Sequence, residues 1–421
     1  MDARVTGGMD LNWPEPGVCD AVPYGVFNER EVYDREMERI YQGPTWNFLG
    51  LAAEVPNAGD YKATFIGDIP VVMTRDDDGK IYAWENRCSH RGALVIRDNC
   101  GTSDGSHTCV YHQWSFNNKG DLIGVPFQRG LAGNGGMPKD FDKKEYPVRK
   151  VRVEDYHGAV FGTFDWDLED VDSYLGGDSD VNGHVKRILK DRPLTVLGHS
   201  RQYIDSNWKF YAENTKDPYH ASLLHLFHMT FGLYRSSQTG GVRISNDWNS
   251  VLFSESGTDS DEAMEETDDA HLRTFQSDYS LEDMSLLAGR AGEWNDNVTL
   301  VILSIMPSLV IQQIQNTLAV RQILPKSEGE FELVWTFFGY EDDDEELTNI
   351  RLKQINLIGP AGMISMEDGE SSVICQQAIT RSRDARNVLQ MGGRTPEDQD
   401  HLVTETTIRG FWKKYRELMA Y

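Results

Sequence analysis

Residues 86–114 read NRCSHRGALVIRDNCGTSDGSHTCVYHQW, and the two short loops at the ends of this stretch decide what the fold around them is built to hold. Cys88-Ser89-His90 and Cys109-Val110-Tyr111-His112 each supply one thiolate and one imidazole. A cluster bound by four cysteines is therefore excluded. Structural zinc sites use the same atoms, but zinc fingers pair cysteine with cysteine and histidine with histidine along the chain. The mixed loops suit a [2Fe–2S] centre in which Cys88 and Cys109 take one iron and His90 and His112 the other, with a zinc protein as the competing reading. Neutral imidazoles reduce the negative charge around one iron and raise its potential as an electron acceptor. Cys100 and His107 lie between the loops without a paired spacing and read as loop or packing residues.

Outward from this stretch the texture is that of a β module. From 45 to 165, short β-branched or alternating segments (YKATFIG, PVVMTRD, IYAWENR, GAVFGTF) are separated by Asp-, Gly- and Asn-rich turns. Gly130 to Asp142 is too rich in turn residues for a regular element. Before the module, residues 25–42 space apolar residues as an amphipathic helix does. Beyond 165, helical and strand patterns mix: strand-like runs at 298–314, 317–324 and 331–339 precede a final helix that places Ile408, Phe411, Trp412, Tyr415, Leu418 and Met419 on one face. Residues 254–270 are acidic, with little to bury, and are expected to form a surface loop. The expected fold is α+β. An all-β iron–sulfur domain (45–165) is inserted near the N-terminus of an α+β domain (1–44 and 166–421) with a central antiparallel sheet covered by helices.

The 421 residues carry 41 Lys and Arg against 67 Asp and Glu, a formal charge of −26. Such a surface disfavours nucleic acid and anionic membranes, which need clustered cations. Five cysteines in a chain this long do not make a disulfide framework and read as metal chemistry in a reducing compartment. The apolar run from Val298 to Ile311 is too short to span a bilayer and contains Pro307, so two strands flanking a proline explain it better. The opening residues lack the basic start and apolar stretch of a signal peptide, and a cytoplasmic protein is expected. No Gly-rich dinucleotide fingerprint appears, so any NAD(P)H is expected to be oxidised on another protein.

A second constellation lies in Asn207 to His228, NWKFYAENTKDPYHASLLHLFH. Asp217-Pro218 is a good helix start, with Asp as cap and Pro in the first turn. His220, His225 and His228 would project from the helix that follows. Three histidines beside an aspartate favour a metal about as much as a packed core. Spacing alone does not choose a ligand pair, because residues five apart on an ideal helix diverge by about 140° whereas 225 and 228 share a face.

Asn86-Arg87-Cys88-Ser89-His90-Arg91-Gly92 and Cys109-Val110-Tyr111-His112-Gln113-Trp114 resemble the cluster loops of Rieske oxygenases. Val110 and Gln113 stand where many relatives have Pro and Gly. The string Glu213-Asn214-x-x-Asp217-x-Tyr219-His220-x₄-His225 resembles the iron motif of ring-hydroxylating oxygenase large subunits, in which the helix is irregular. That resemblance implies that His220 and His225 bind a mononuclear Fe(II), with His228 left as a pocket or packing residue. It implies Asp368, after Gly359-Pro360-Ala361-Gly362, as third ligand, with Glu367 and Glu370 as fallbacks. Two histidines and a carboxylate on one face of Fe(II) leave positions open for O₂ and substrate. The resemblance gives Asp217 the role of bonding His220 and His112 of the partner subunit, so electrons cross a subunit boundary. It further implies a trimer of large subunits within an α3β3 assembly, a small β subunit, and NAD(P)H electrons arriving through a separate reductase or ferredoxin.

The likeness is narrower still to large subunits acting on benzoate-type acids such as terephthalate, salicylate and anthranilate. It rests on Gly135-Gly136-Met137-Pro138, Gln312-Gln313-Ile314-Gln315-Asn316, Val320-Arg321-Gln322 and Gly410-Phe411-Trp412. A carboxylate substrate inside so acidic a protein needs a buried cation, and Arg321 in the apolar pattern LAVRQIL is the candidate, with an outward-facing strand residue as the alternative. Asn214, Met363 and Ile364 are the other expected substrate contacts. Terephthalate-type relatives have Arg just before the Thr-Glu-Thr run, and Leu402 takes that place here. The sequence therefore points to mono- or dioxygenation of a monocarboxylate such as salicylate, anthranilate or a substituted benzoate. A terephthalate 1,2-dioxygenase large subunit and a non-catalytic Rieske electron carrier are the alternatives.

Overall fold

The structure is a computed structural model; it describes residues 11–189, 192–231, 233–234, 238–255, 273, 276, 278–290 and 292–421, with Met363 described in its backbone alone. The chain divides into two compact units: Tyr41–Val171, and the described residues up to Ile40 together with Asp172–Tyr421. Among the described residues no helix is long and apolar enough to cross a membrane. The acidic stretch expected as a surface loop lies, from residue 256 on, outside the described residues.

The first unit is all β. Its larger sheet orders β1 (Asn47–Leu51), β10 (Ala159–Thr163), β9 (Lys150–Tyr156), β4 (Ile81–Glu85), β3 (Ile69–Arg75), β2 (Asp60–Ile66) and β5 (Cys100–Thr102). A smaller sheet orders β6 (Ser106–Thr108), β7 (Ser115–Asn117) and β8 (Leu122–Gly124). β2 shows the period of two in full, alternating buried and half-buried positions along DYKATFI. No strand or helix falls in the turn-rich residues 130–142, yet Met137 there packs on a core of Val72, Trp84, Val95, Ile96, Trp114, Phe116, Leu122 and Val148.

The second unit is α+β, built on a seven-stranded antiparallel sheet in the order β11 (Leu194–Ile204), β17 (Glu330–Tyr340), β16 (Thr317–Ser327), β15 (Leu309–Ile314), β14 (Val298–Ile305), β13 (Asn249–Glu255) and β12 (Gly240–Ser245). The apolar run from Val298 to Ile311 is thus a strand, a turn at Pro307 and the start of the next strand. The expected helix over 25–42 is broken: Gly25–Asn28 and Arg30–Glu36 are separated by Glu29 in extended backbone, and a wider turn follows at Met37–Tyr41. The Thr406–Met419 helix buries Ile408, Phe411, Trp412, Tyr415 and Met419, while Leu418 is half-buried.

Two helices bring Asn214 and Asp368 to the site. Trp208–Asn214 packs beside Met363–Ile379, and the pair is pinned where the Asn207 N–H donates to Gln376 Oε1 (2.8 Å) and the Ser206 hydroxyl to the Ser372 carbonyl (2.9 Å). The turn ahead of the second helix can be closed only by glycine, since a Cβ on Gly362 would lie 1.9 Å from the Leu357 carbonyl oxygen.

Candidate metal centres and substrate cavity

In the β unit the two cluster loops are built alike. The Cys88 N–H donates to Ala93 O (2.8 Å) and Gly92 N–H to Cys88 O (2.9 Å). In the same way the Cys109 N–H donates to Trp114 O (2.9 Å) and Gln113 N–H to Cys109 O (2.8 Å). Closing so tight a loop requires left-handed backbone, found at Gly92 (φ 75°) and at Gln113 (φ 57°). Asn86, buried, fixes the first loop from below: its Oδ1 accepts from Val95 N and Ile96 N, and its Nδ2 donates to Ile96 O. Both thiols are free and buried, whereas His90 and His112 are exposed, their rings 4.5 Å apart, with Trp114 stacked on His90 at 4.7 Å.

These residues fit a two-iron cluster. Burial pushes the Cys88 thiol up, and adjacent Cys109 adds to this, so a bound cation is what would favour the Cys88 thiolate. Slight desolvation of the exposed His90 ring, with His112 and Arg91 beside it, lowers its pKa and favours the neutral form a ligand needs. The four do not gather as a single-ion group, as expected for ligands on opposite sides of a two-iron core. Cys100 is exposed on β5; His107 is buried, its Nε2 2.9 Å from Asn118 Oδ1. Both are packing or surface residues.

The second constellation is assembled by an interruption. The helix expected to start at Asp217-Pro218 begins at Ala221, while Asp217 Oδ1 accepts from Tyr219 N (2.8 Å) and His220 N (3.3 Å) to close the turn before it. Helix Ala221–Leu224 then ends at His225, whose extended backbone (φ −90°, ψ 93°) separates it from Leu226–Thr230. Although the five-residue spacing would turn the rings apart on an ideal helix, their centroids lie 5.3 Å apart.

Asp368 joins them from the Met363–Ile379 helix. Its Oδ1 is 3.3 Å from His220 Nε2 and 3.2 Å from His225 Nε2, and it accepts a 3.0 Å bond from Asn214 Nδ2. Ligand atoms of His220, His225 and Asp368 all lie within 4.8 Å of one another, the one such group among the described residues. The outer edges of the rings are held too. Glu367 Oε2 is 2.8 Å from His225 Nδ1, and Asp217 Oδ2 is 3.4 Å from His220 Nδ1, close but without hydrogen-bond alignment. Glu367 is thus a positioning partner of a ligand, and Glu370 is exposed on the same helix.

Charge follows this geometry. Burial disfavours a charged His220, but Asp217 and Asp368 outweigh it and push its pKa up to about 10. Burial likewise opposes charge on His225, and Asp368 again raises its pKa. Burial opposes the Asp368 carboxylate, yet His225 and His220 hold it well below the usual range. The arrangement demands positive charge between the rings, which a divalent cation supplies, and the nitrogen and oxygen donors suit iron. His228 is different: burial, with His225 beside it, drives its pKa well below the ordinary value.

A cavity opens on this group. Arg321 lines it together with Asn214, His228 and Ile364 and the apolar Leu252, Leu300, Ile302 and Ile314. Arg321 is buried rather than outward-facing. Its Nη1 donates to the Tyr211 hydroxyl (2.9 Å), its guanidinium lies 4.4 Å from the centroid of the Trp335 ring, and its Nε has no partner. Among the described residues lining the cavity it is the one Lys or Arg. The Met363 side chain lies outside the described residues. Leu402 is fully buried and is not among the described residues lining the cavity. Tyr211 and Trp335 were not singled out by sequence, and Glu367 was named there only as a fallback to Asp368.

Residues 45–135 match the Rieske [2Fe-2S] domain model, and residues 185–421 match the catalytic domain of the ring hydroxylating alpha subunit. The chain is 51% identical over 405 residues to the anthranilate 1,2-dioxygenase large subunit of Burkholderia cepacia, covering 95% of this chain and 93% of the relative. It is 47% identical to the alpha 2 subunit of the terephthalate 1,2-dioxygenase terminal oxygenase component of Comamonas sp, covering 95% of each. It is 40% identical to the large oxygenase component of salicylate 5-hydroxylase of Ralstonia sp, covering 98% of this chain and 97% of the relative. In fold it is similar to naphthalene 1,2-dioxygenase from Rhodococcus sp. (TM-score 0.77, 23% identity, 95% and 94% covered).

Proposed function

Because the chain belongs to the Rieske-bearing, ring-hydroxylating oxygenase large subunits, we propose that it hydroxylates an aromatic monocarboxylate such as anthranilate, salicylate or a substituted benzoate. As a family member it carries a Rieske [2Fe–2S] cluster and a mononuclear iron, and takes its electrons from a separate reductase. Cys88, His90, Cys109 and His112 hold the cluster; His220, His225 and Asp368 hold the iron; Asp217 and Glu367 orient the two rings. The iron supplies the site at which O₂ is activated by electrons delivered through the cluster.

The observation that carries the substrate class is Arg321: a buried guanidinium with no carboxylate partner, lining the cavity beside the metal ligands. In a chain of charge −26, long-range electrostatics repel an anionic substrate, and a desolvated guanidinium fork offsets this locally. The Trp335 face and the Tyr211 hydroxyl hold the fork in place. The apolar wall accepts the ring. A terephthalate dianion would want a second cation, and the described lining offers none. A non-catalytic electron carrier would have no use for the intact ligand set and this cavity.

Relatives named as a dioxygenase and as a 5-hydroxylase lie at similar distance, so insertion of one or two oxygen atoms is left to product analysis. The proposed assembly is head-to-tail, α3β3 with a small subunit and a reductase or ferredoxin. In support, His90 and His112 are exposed amid exposed Leu94, Val110, Tyr111 and Phe127. On the catalytic unit, an open cavity beside Asp217 and His220 is lined by Phe210, Leu223 and Leu224. A cytoplasmic location accords with five free cysteines. The test is oxygen uptake with a panel of benzoic acids and the reconstituted reductase, with products identified; consumption of terephthalate with monocarboxylates ignored would overturn the reading.

A further inference from the structure

His228 lines the cavity beside the proposed metal ligands and is 4% exposed, yet among the described residues neither of its ring nitrogens has a hydrogen-bond partner. The nearby groups that could have satisfied it are committed elsewhere. Glu367 is on His225, whose ring stands edge-on to His228 at 5.1 Å, and the Tyr234 hydroxyl donates to the Pro218 carbonyl. Leu252, Leu300 and Ile302 of the same lining offer no polar atom to it. His228 also lies outside the group of converging ligand atoms, so a metal does not complete it. A second uncompleted side chain lies on the sheet face of two lining residues, though it does not itself line the cavity. Gln312 is fully buried with both amide atoms unpaired. It faces Ile302 directly across the β14–β15 ladder and shares a sheet face with Ile314, and both isoleucines line the cavity.

Buried polar atoms are normally paired, and a group left open towards a cavity is completed by what enters it. A neutral imidazole offers one donor and one acceptor, which an amino or hydroxyl group on an aromatic ring can meet. We propose that His228 is a specificity-determining residue that hydrogen-bonds an amino or hydroxyl substituent on the ring of the substrate. The inference rests on the aromatic-acid reading above: Arg321 takes the carboxylate and His228 reads what else the ring carries. An unsubstituted ring leaves both nitrogens unpaired in an apolar wall, and selectivity follows from that penalty.

The test measures binding and kcat/KM of benzoate, 2-aminobenzoate and 2-hydroxybenzoate on the iron-loaded protein with its reductase. The wild type is expected to prefer at least one substituted acid by about tenfold or more. His228→Phe is expected to bring that ratio close to one while iron content and the cluster spectrum stay unchanged, and His228→Gln to keep part of it. A wild type that binds benzoate as well as both substituted acids overturns the proposal, as does a His228→Phe protein that keeps the preference. Should the Phe variant fail to load iron, His228→Asn is read the same way, and an unchanged ratio there overturns it. Failure of all three acids to bind would instead overturn the aromatic-acid reading itself.

Discussion

Glu367 holds His225 by its Nδ1 edge at 2.8 Å, while the adjacent Asp368 lies 3.2 Å from Nε2 of the same ring. Neighbours in sequence thus address opposite ends of one imidazole. Carboxylates on the far nitrogen of a metal-bound histidine fix its tautomer and orientation, and removing them typically costs about 10–100-fold in metal affinity. Glu367→Ala is expected to show a loss of that order in iron binding by chelator competition, with the cluster's visible spectrum intact.

Asp368→Ala is expected to do more. It removes a proposed ligand and leaves His220, His225 and Asn214 without the oxygen on which all three converge. Iron analysis should find the mononuclear site empty and the two cluster irons retained. Equal loss of both would contradict the division of labour between the two sets of ligands.

Arg321→Met keeps the packing against Trp335 and removes the charge. Truncating one partner of a buried charge pair costs about 2–5 kcal/mol, so kcat/KM for the aromatic acid should fall by about 30-fold or more. The loss should appear mainly in KM, since the carboxylate is bound alike before and during reaction. Tyr211→Phe, which removes only the 2.9 Å bond to Nη1, should cost far less.

How much of this was legible in the sequence depends on whether the decisive geometry is local. Cys88, His90, Cys109 and His112 sit in two tight loops of like build, so residue type and interval were enough to propose them as a set. His220 and His225 were not readable that way: an ideal helix turns residues five apart away from each other, and their rings meet here at 5.3 Å around Asp368 of a distant helix. Resemblance, not periodicity, selected that pair. Arg321 was ambiguous on a strand buried on both faces, where alternation no longer distinguishes in from out.

Gln113 marks a place where the chain tolerates strain. Its φ of 57° is left-handed, the region glycine enters at least cost, and at Gly92 the matching turn uses glycine. Gln113→Gly is expected to raise stability by about 1 kcal/mol, offset in part by the greater freedom of the unfolded chain. Thermal loss of the cluster's visible absorbance should shift upwards by a few degrees, and a shift downwards would show that the glutamine side chain supports the loop.

Glu213 gives a pH dependence of stability. Burial, with Glu405 and Asp217 nearby, pushes its pKa from 4.5 up to about 8, even though Trp412 Nε1 donates to it at 2.6 Å. The folded chain therefore binds this proton more tightly than the unfolded chain. The group's contribution is most favourable below pH 4.5, declines as pH rises towards 8, and is then constant as a penalty. Glu213→Gln keeps an acceptor for Trp412 and removes the titration. Denaturant midpoints of the variant and the wild type should agree near the acid end of that window and diverge, in the variant's favour, towards its alkaline end. Midpoints that run parallel across the window would show that the carboxyl is already ionised in the folded chain.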